Sequence, residues 1–232
     1  MCIHGGGWMG GKRQDCGPLA TLLAQHGYVA VTISYRFAPQ HKFPAQIEDA
    51  KAAVRWLRAN AEKYGVDKDR IGAIGFSAGG HLASLLGVTD KNDGLEGASG
   101  SPDESSRVRA VVNFFGPTDL TINDWSKTAY HGILIPVLGG TFEEHPELYK
   151  RMSPATYATK DDAPTLFFHG AKDDLVGVRH SVDMAAKLKG LGIESRAVVL
   201  PDAGHGWNGL DLINTMQESV EFFDAQLKPA KK

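Results

Sequence analysis

Arg70-Ile71-Gly72-Ala73-Ile74-Gly75-Phe76-Ser77-Ala78-Gly79-Gly80 is the stretch on which the fold turns. The run from Arg70 to Gly75 is β-rich and predicts a short strand, and Ser77 to Gly87 predicts a helix. No loop residues separate the two, so Ser77 stands at the corner of Gly75-Phe76-Ser77-Ala78-Gly79, a G-x-S-x-G spacing. A strand that turns straight into a helix strains the corner residue and lifts its side chain above the sheet. Glycines flank the corner because side chains there would collide, and the helix N-terminus behind it favours developing negative charge. A glycine-rich turn with an idle serine is the plain alternative, and the rest of the chain decides against it.

Outward from this corner, β-rich runs alternate with helical patterns. Cys2 to His4 is a strand stub, and Gly17 to His26 is helical. Tyr28-Val29-Ala30-Val31-Thr32-Ile33-Ser34 reads as a strand buried on both faces. Ala45 to Tyr64 is the clearest helix: Ile47, Ala50, Val54, Leu57 and Ala61 recur at spacings of three and four, and Gly65 follows where a helix would end. Val108 to Phe114, Thr165 to Phe168 and Glu194 to Leu200 are further strands. Val178 to Leu191, with Val182, Ala185 and Leu188 on one face, and Leu210 to Leu227 are helices. Strand–helix alternation of this kind demands a mostly parallel sheet, here of about six strands, with helices on both faces.

The 232 residues suit a single α/β domain, 1–232. Two stretches interrupt the rhythm. Thr89 to Arg107 reads as a surface loop. Its Asp90-Lys91-Asn92-Asp93-Gly94 does not fit a calcium loop, because Thr89 and Gly100 fall where acids are required. Residues 116–163 form a long insertion, either a lid or substrate wall or a packed helical excursion.

A serine hydroxyl needs a base, and the base needs an acid to orient it. Of nine histidines, His205 has the suitable setting, in Gly204-His205-Gly206 directly after the last strand. His169 and His81 read as hydrogen-bonded structural residues; His26, His41, His131, His145 and His180 read as surface residues. Asp173 and Asp174 both follow the Thr165–Phe168 strand, at the sheet end where sites gather in open α/β folds. His4-Gly5-Gly6-Gly7 after the first strand is a backbone loop of the kind that aims N–H groups at an oxyanion.

Apolar residues make up 42% and charged residues 22%, enough for a sizeable core. The formal net charge of -2 gives no support for nucleic-acid binding, and Lys228, Lys231 and Lys232 read as a solvated tail. No apolar run reaches the roughly 18 residues of a membrane span. Two cysteines, Cys2 and Cys16, are too few for a disulfide framework and are read as reduced. No metal or nucleotide motif is present, so no cofactor is expected.

Taken together, His4-Gly5-Gly6-Gly7-Trp8, Tyr35-Arg36 with Phe43-Pro44-Ala45, Gly75 to His81, His169-Gly170 with Asp173, and Gly204-His205-Gly206 resemble the hormone-sensitive-lipase-like carboxylesterases of the α/β-hydrolase fold. The resemblance is strongest to the branch of bacterial feruloyl and acetyl-xylan esterases. It implies a triad of Ser77, Asp173 and His205, with the acid four residues after the strand-end His169. It also implies oxyanion donors at the N–H groups of Gly6, Gly7 and Ala78. The expected function is hydrolysis of short-chain acyl esters, acetylated or feruloylated sugars among them, through an acyl-enzyme. Trp8, Trp125, Tyr130 and Trp207 are candidates for the substrate pocket. An amidase such as an arylformamidase, a prolyl-oligopeptidase-type peptidase and a non-catalytic hydrolase-fold binding protein are the rival expectations. The family usually carries two more strands before the HGGG strand, so N-terminal strands are expected to be missing, and the exposed edge would be open to homodimerisation. The expected partner is a small-molecule ester, with neither nucleic acid nor membrane. The compartment is cytoplasmic as the sequence stands and secreted if an upstream segment is missing.

Overall fold

A computed structural model describes residues 1–122 and 124–228. Lys231 and Lys232 lie outside the described residues. Six strands form one sheet: β1 (Cys2–Ile3), β2 (Thr32–Ile33), β3 (Gly72–Phe76), β4 (Ala110–Phe114), β5 (Thr165–Gly170) and β6 (Ser195–Leu200). They lie in the order β2-β1-β3-β4-β5-β6, and every pairing is parallel.

The order has a physical consequence. The chain steps one way from β1 to β2, then back across β1 to β3 and onward to β6. Parallel crossovers are right-handed, so opposite steps put their helices on opposite faces. α1 (Gly17–Gln25), which links β1 to β2, therefore covers one face, joined by the closing helix α9 (Gly209–Leu227). α2 (Ala45–Ala59), α4 (Ala78–Val88) and α8 (Arg179–Gly190) cover the other. Strand side chains alternate to match. Ile74, Val112, Phe114, Leu166 and Phe168 pack on Leu19 and Leu23 of α1 and Val220, Phe222 and Phe223 of α9. Ala73 and Val111 pack with α2 and α4, and Phe167 packs with Met184, Ala185 and Leu188 of α8. Each fully buried Phe or Leu here contributes about 1.5–3 kcal/mol. β1 and β3 flank the point where the strand order reverses, and Ile3 stands in register with Gly75. The loops after β1 and β3 thus leave the same rim side by side.

Local expectations and structure differ at five places. The Tyr28–Ser34 run is not buried on both faces: only Thr32 and Ile33 pair, and Val29 is 48% exposed. β2 is an edge strand whose one neighbour is two residues long, so the ladder has nothing further to pair with. The helix expected over 45–64 breaks at Asn60 and resumes as α3 (Ala61–Tyr64), capped by Gly65 at φ 66°. On α8 the inward face runs through Ser181, Met184, Ala185 and Leu188, which turns Val182 out to solvent. His180, expected at the surface, is fully buried. The 89–107 loop is anchored rather than free, because Leu95 is buried and Glu96 accepts from the buried Lys51 and Arg55.

The insertion carries α5 (Lys127–Ala129), a π-helical turn over Tyr130–Leu134, α6 (Ile135–Leu138) and α7 (Pro146–Met152). Leu134, Val137, Tyr149 and Met152 are buried and join the α2–α4 core. Ile133 lies against the glycine loop, 3.3 Å from where a Cβ on Gly7 would stand. Among the described residues no helix is long and apolar enough to cross a membrane.

Candidate active site

Ser77 occupies the corner between β3 and α4 at φ 53° and ψ -121°. A non-glycine residue held there costs about 1–3 kcal/mol and persists only when its surroundings over-determine it. Two close approaches make the corner: a Cβ on Gly75 would stand 2.2 Å from the Gly79 carbonyl oxygen, and one on Gly79 would stand 2.2 Å from the Ile3 carbonyl oxygen. The Ser77 N–H donates to the Phe114 carbonyl at 2.8 Å, and its own carbonyl accepts the His81 N–H at 3.0 Å.

The Ser77 hydroxyl meets His205 Nε2 at 2.9 Å. His205 arrives from the loop after β6, with the Phe115 ring edge-on to the imidazole at 4.7 Å. Its Nδ1 donates to Asp173 Oδ2 at 2.8 Å. A carboxylate only accepts, so Nδ1 carries the proton and Nε2 is free to take the serine's.

Asp173 follows β5, and its side chain is fully buried. Its Oδ1 accepts the Leu175 and Val176 N–H groups at 3.0 and 2.9 Å. Its Oδ2 also lies 3.2 Å from His169 Nε2. Burial pushes the carboxyl up, but the hydrogen bonds from His169, His205 and the Val176 N–H outweigh it and hold Asp173 well below the usual carboxylate range. Asp174 is exposed. The fold therefore brings Ser77, His205 and Asp173 together and leaves Asp174 out.

The loop after β1 runs beside this line. A Cβ on Gly5 would stand 3.3 Å from the Ser77 Cβ. Gly6 and Gly7 have φ of 111° and 59°, and the Gly6 carbonyl accepts from Met9 and Gly10 at 3.0 and 3.1 Å to close the turn. The Tyr35 hydroxyl donates to the His4 carbonyl at 3.0 Å and holds the entry to the loop. Among the described residues, the N–H groups of Gly6, Gly7 and Ala78 have no hydrogen-bond partner. Such a constellation can shuttle a proton off a hydroxyl and offer free dipoles to a negative oxygen.

The four aromatic candidates separate. Trp8 is 2% exposed, and its indole N–H donates to His81 Nδ1 at 3.2 Å behind the glycine loop. Trp207 backs the site: its ring lies 5.3 Å from Phe115, and its N–H donates to Thr215 at 3.0 Å. Trp125 and Tyr130 line one cavity in the insertion, together with Leu120 and Phe142. Among the described residues no cluster of three or more His, Cys, Asp or Glu is placed to hold a metal.

Two buried histidines make contacts the sequence did not suggest, His169 at the site and His180 beside the insertion. His169 Nε2 also lies 2.8 Å from the Val176 carbonyl, so it is a donor, and Nδ1 accepts the Ser181 hydroxyl at 2.7 Å. His180 Nδ1 accepts the Thr118 and Asp119 N–H groups at 3.2 and 3.3 Å, tying the start of the insertion to α8. For His169 the available signal was its place at the end of an apolar strand, four residues before Asp173; for His180 there was none.

The BD-FAE family model matches residues 1–188. Esterase LipC of Mycobacterium tuberculosis is 35% identical over 216 residues, which cover 90% of this chain and 53% of that protein. The chain spans about half the length of the curated relatives it matches. Among solved structures, a truncated form of a carbohydrate esterase from gut microbiota superposes with a TM-score of 0.85 at 27% identity, covering 98% of this chain and 85% of that one. Thermogutta terrifontis esterase 2 phosphorylated by paraoxon superposes with a TM-score of 0.82 at 28% identity, covering 100% and 83%.

Proposed function

The chain belongs to the BD-FAE family and has the α/β-hydrolase fold of esterases, and from that premise we propose that it hydrolyses short-chain carboxylic esters through an acyl-enzyme on Ser77. The observation that carries this reading is the unbroken line from the Ser77 hydroxyl to His205 Nε2 at 2.9 Å and from His205 Nδ1 to Asp173 Oδ2 at 2.8 Å. His205 takes the hydroxyl proton as Oγ bonds to the ester carbonyl carbon. The carbonyl oxygen gathers charge beside the N–H groups of Gly6, Gly7 and Ala78, where each well-placed donor is worth about 10²–10³ in rate. The C–O bond to the alcohol breaks, and His205 returns its proton to that oxygen. Water then loses a proton to His205 and attacks the acyl carbon, the C–Oγ bond breaks, and His205 returns the proton to Oγ, releasing the acid and restoring Ser77. Asp173 holds the tautomer and stabilises the imidazolium throughout.

The 116–163 insertion serves as a substrate wall in this reading, since Ile133 abuts Gly7 and Trp125 and Tyr130 line a cavity beyond it. Likeness to a carbohydrate esterase supports a sugar as the alcohol side of the ester. Ser77→Ala is expected to lower kcat on 4-nitrophenyl acetate by at least ~10³-fold, and a fluorophosphonate is expected to label Ser77 stoichiometrically, in keeping with the phosphorylated neighbour. Unchanged turnover in Ser77→Ala, or labelling elsewhere, would remove Ser77 from the reaction. Matched ester and amide substrates separate an esterase from an amidase.

A further inference from the structure

Resting on the esterase reading, we propose that His81 is a positioning residue: acting through Trp8, it holds the Gly5–Gly7 loop in the shape that presents its N–H groups to the oxyanion. Neither side chain is accounted for by the proton relay, yet both are buried directly behind it, Trp8 at 2% exposure and His81 at 0%.

Three consecutive residues of the loop, Gly6, Gly7 and Trp8, have positive φ, and Trp8 at 58° is the one with a side chain. Left-handed backbone is unfavourable for a bulky residue, so something outside the loop must hold Trp8 there. Two contacts hold it: the Trp8 carbonyl accepts the Ala38 N–H at 3.0 Å, and the side chain is bonded to His81. The Trp8 indole N–H can only donate, so His81 Nδ1 must accept it, at 3.2 Å. His81 Nε2 then carries the ring proton and donates to the Met152 carbonyl at 2.7 Å. The two rings meet edge to face, 5.0 Å apart and at 85°. Burial pushes the imidazole down to about 4, so the ring is neutral at neutral pH and its accepting nitrogen stays available. His81 also has its N–H bonded to the Ser77 carbonyl at 3.0 Å. His81 thus links the far end of the glycine loop to the serine corner and to the insertion, while Tyr35 and Ala38 hold the loop from the β2 side.

Asn and Leu at 81 separate positioning from packing, because they have nearly the same shape and both lose the bond to Met152. The Asn side-chain oxygen falls where Nδ1 stood and can still accept from Trp8; Leu cannot. Expected for His81→Leu is a fall in kcat on 4-nitrophenyl acetate of roughly 10- to 100-fold, the range for a displaced oxyanion donor. KM should stay within ~3-fold of the wild-type value, and affinity for a trifluoromethyl ketone should fall by the same factor as kcat. His81→Asn should keep kcat within ~3-fold of wild type. Trp8→Phe, which removes the donor and keeps a ring, should match His81→Leu, and the double variant should be no worse than the poorer single. Amide exchange at Met9 and Gly10, which bond to the Gly6 carbonyl, should quicken in His81→Leu and not in His81→Asn. Equal impairment of Asn and Leu, additive losses in the double variant, or wild-type kcat in Leu would each overturn the proposal. Should Leu fail to fold, the comparison of Trp8→Phe with Asn decides. A wild-type protein without esterase turnover would instead defeat the esterase reading, and the amide exchange would still report whether His81 orders the loop.

Discussion

Replacing Asp173 by Asn tests the orienting role proposed for that carboxylate with almost no change of shape. In the wild-type protein Oδ1 is committed to the Leu175 and Val176 N–H groups at 3.0 and 2.9 Å, while Oδ2 takes His205 Nδ1 at 2.8 Å and faces His169 Nε2 at 3.2 Å. An asparagine must keep its carbonyl oxygen toward the two backbone donors, because the reverse sets N–H against N–H. Its amide nitrogen then faces His205 and can only donate. His205 is driven to the tautomer with its proton on Nε2, which cannot accept the proton of Ser77. A relay with the geometry kept and the tautomer wrong loses about 10⁴ in kcat, close to 5.5 kcal/mol of barrier. Asp174→Asn, on an exposed side chain, should stay within ~3-fold of wild type. The assay is steady-state hydrolysis of 4-nitrophenyl acetate at neutral pH, with circular dichroism on each variant to establish the fold. A loss below ~10-fold in Asp173→Asn, or an equal loss in Asp174→Asn, refutes the assigned role.

Gly6→Ala should cost roughly 10²–10³ in kcat with the fold kept, because a Cβ at φ 111° would stand 2.3 Å from the Gly10 carbonyl oxygen and displace the loop; kinetics unchanged from wild type would show that the loop adjusts without consequence. Stability should fall below neutral pH in a manner traceable to His81. Its folded pKa of about 4 lies below the ordinary 6.5 because of burial, so between these values the unfolded chain binds a proton that the folded chain does not. This contribution is complete above pH 6.5 and shrinks as pH falls toward 4, by roughly 2–3 kcal/mol between pH 7 and 4.5. Urea unfolding at the two pH values should show that much less acid sensitivity in His81→Asn than in wild type, and identical sensitivity would count against a neutral buried ring.

Much of this protein was written locally. G-x-S-x-G between a strand and a helix, the glycine run after β1 and the three- and four-residue spacing in α2 could all be read from the residues, because each depends on backbone preferences within a few positions; the chain order Ser77, Asp173, His205 was legible through the resemblance to a family. The alternation of strands and helices likewise implied a parallel sheet with both faces covered. Only the tertiary structure shows that Asp173 and not Asp174 meets His205, since the groups around that carboxylate are two backbone N–H groups and the imidazoles of His169 and His205. The same holds for Trp8, which lies buried against His81, for His180 and for Val182. It also holds for β2, whose apolar run promised a buried strand and whose pairing was limited by a two-residue neighbour. Periodicity specifies which residues share a face. Which polar atom finds its partner across the core depends on contacts 70 or more residues apart, as for Trp8 and His81, and these exist only once the layers have packed.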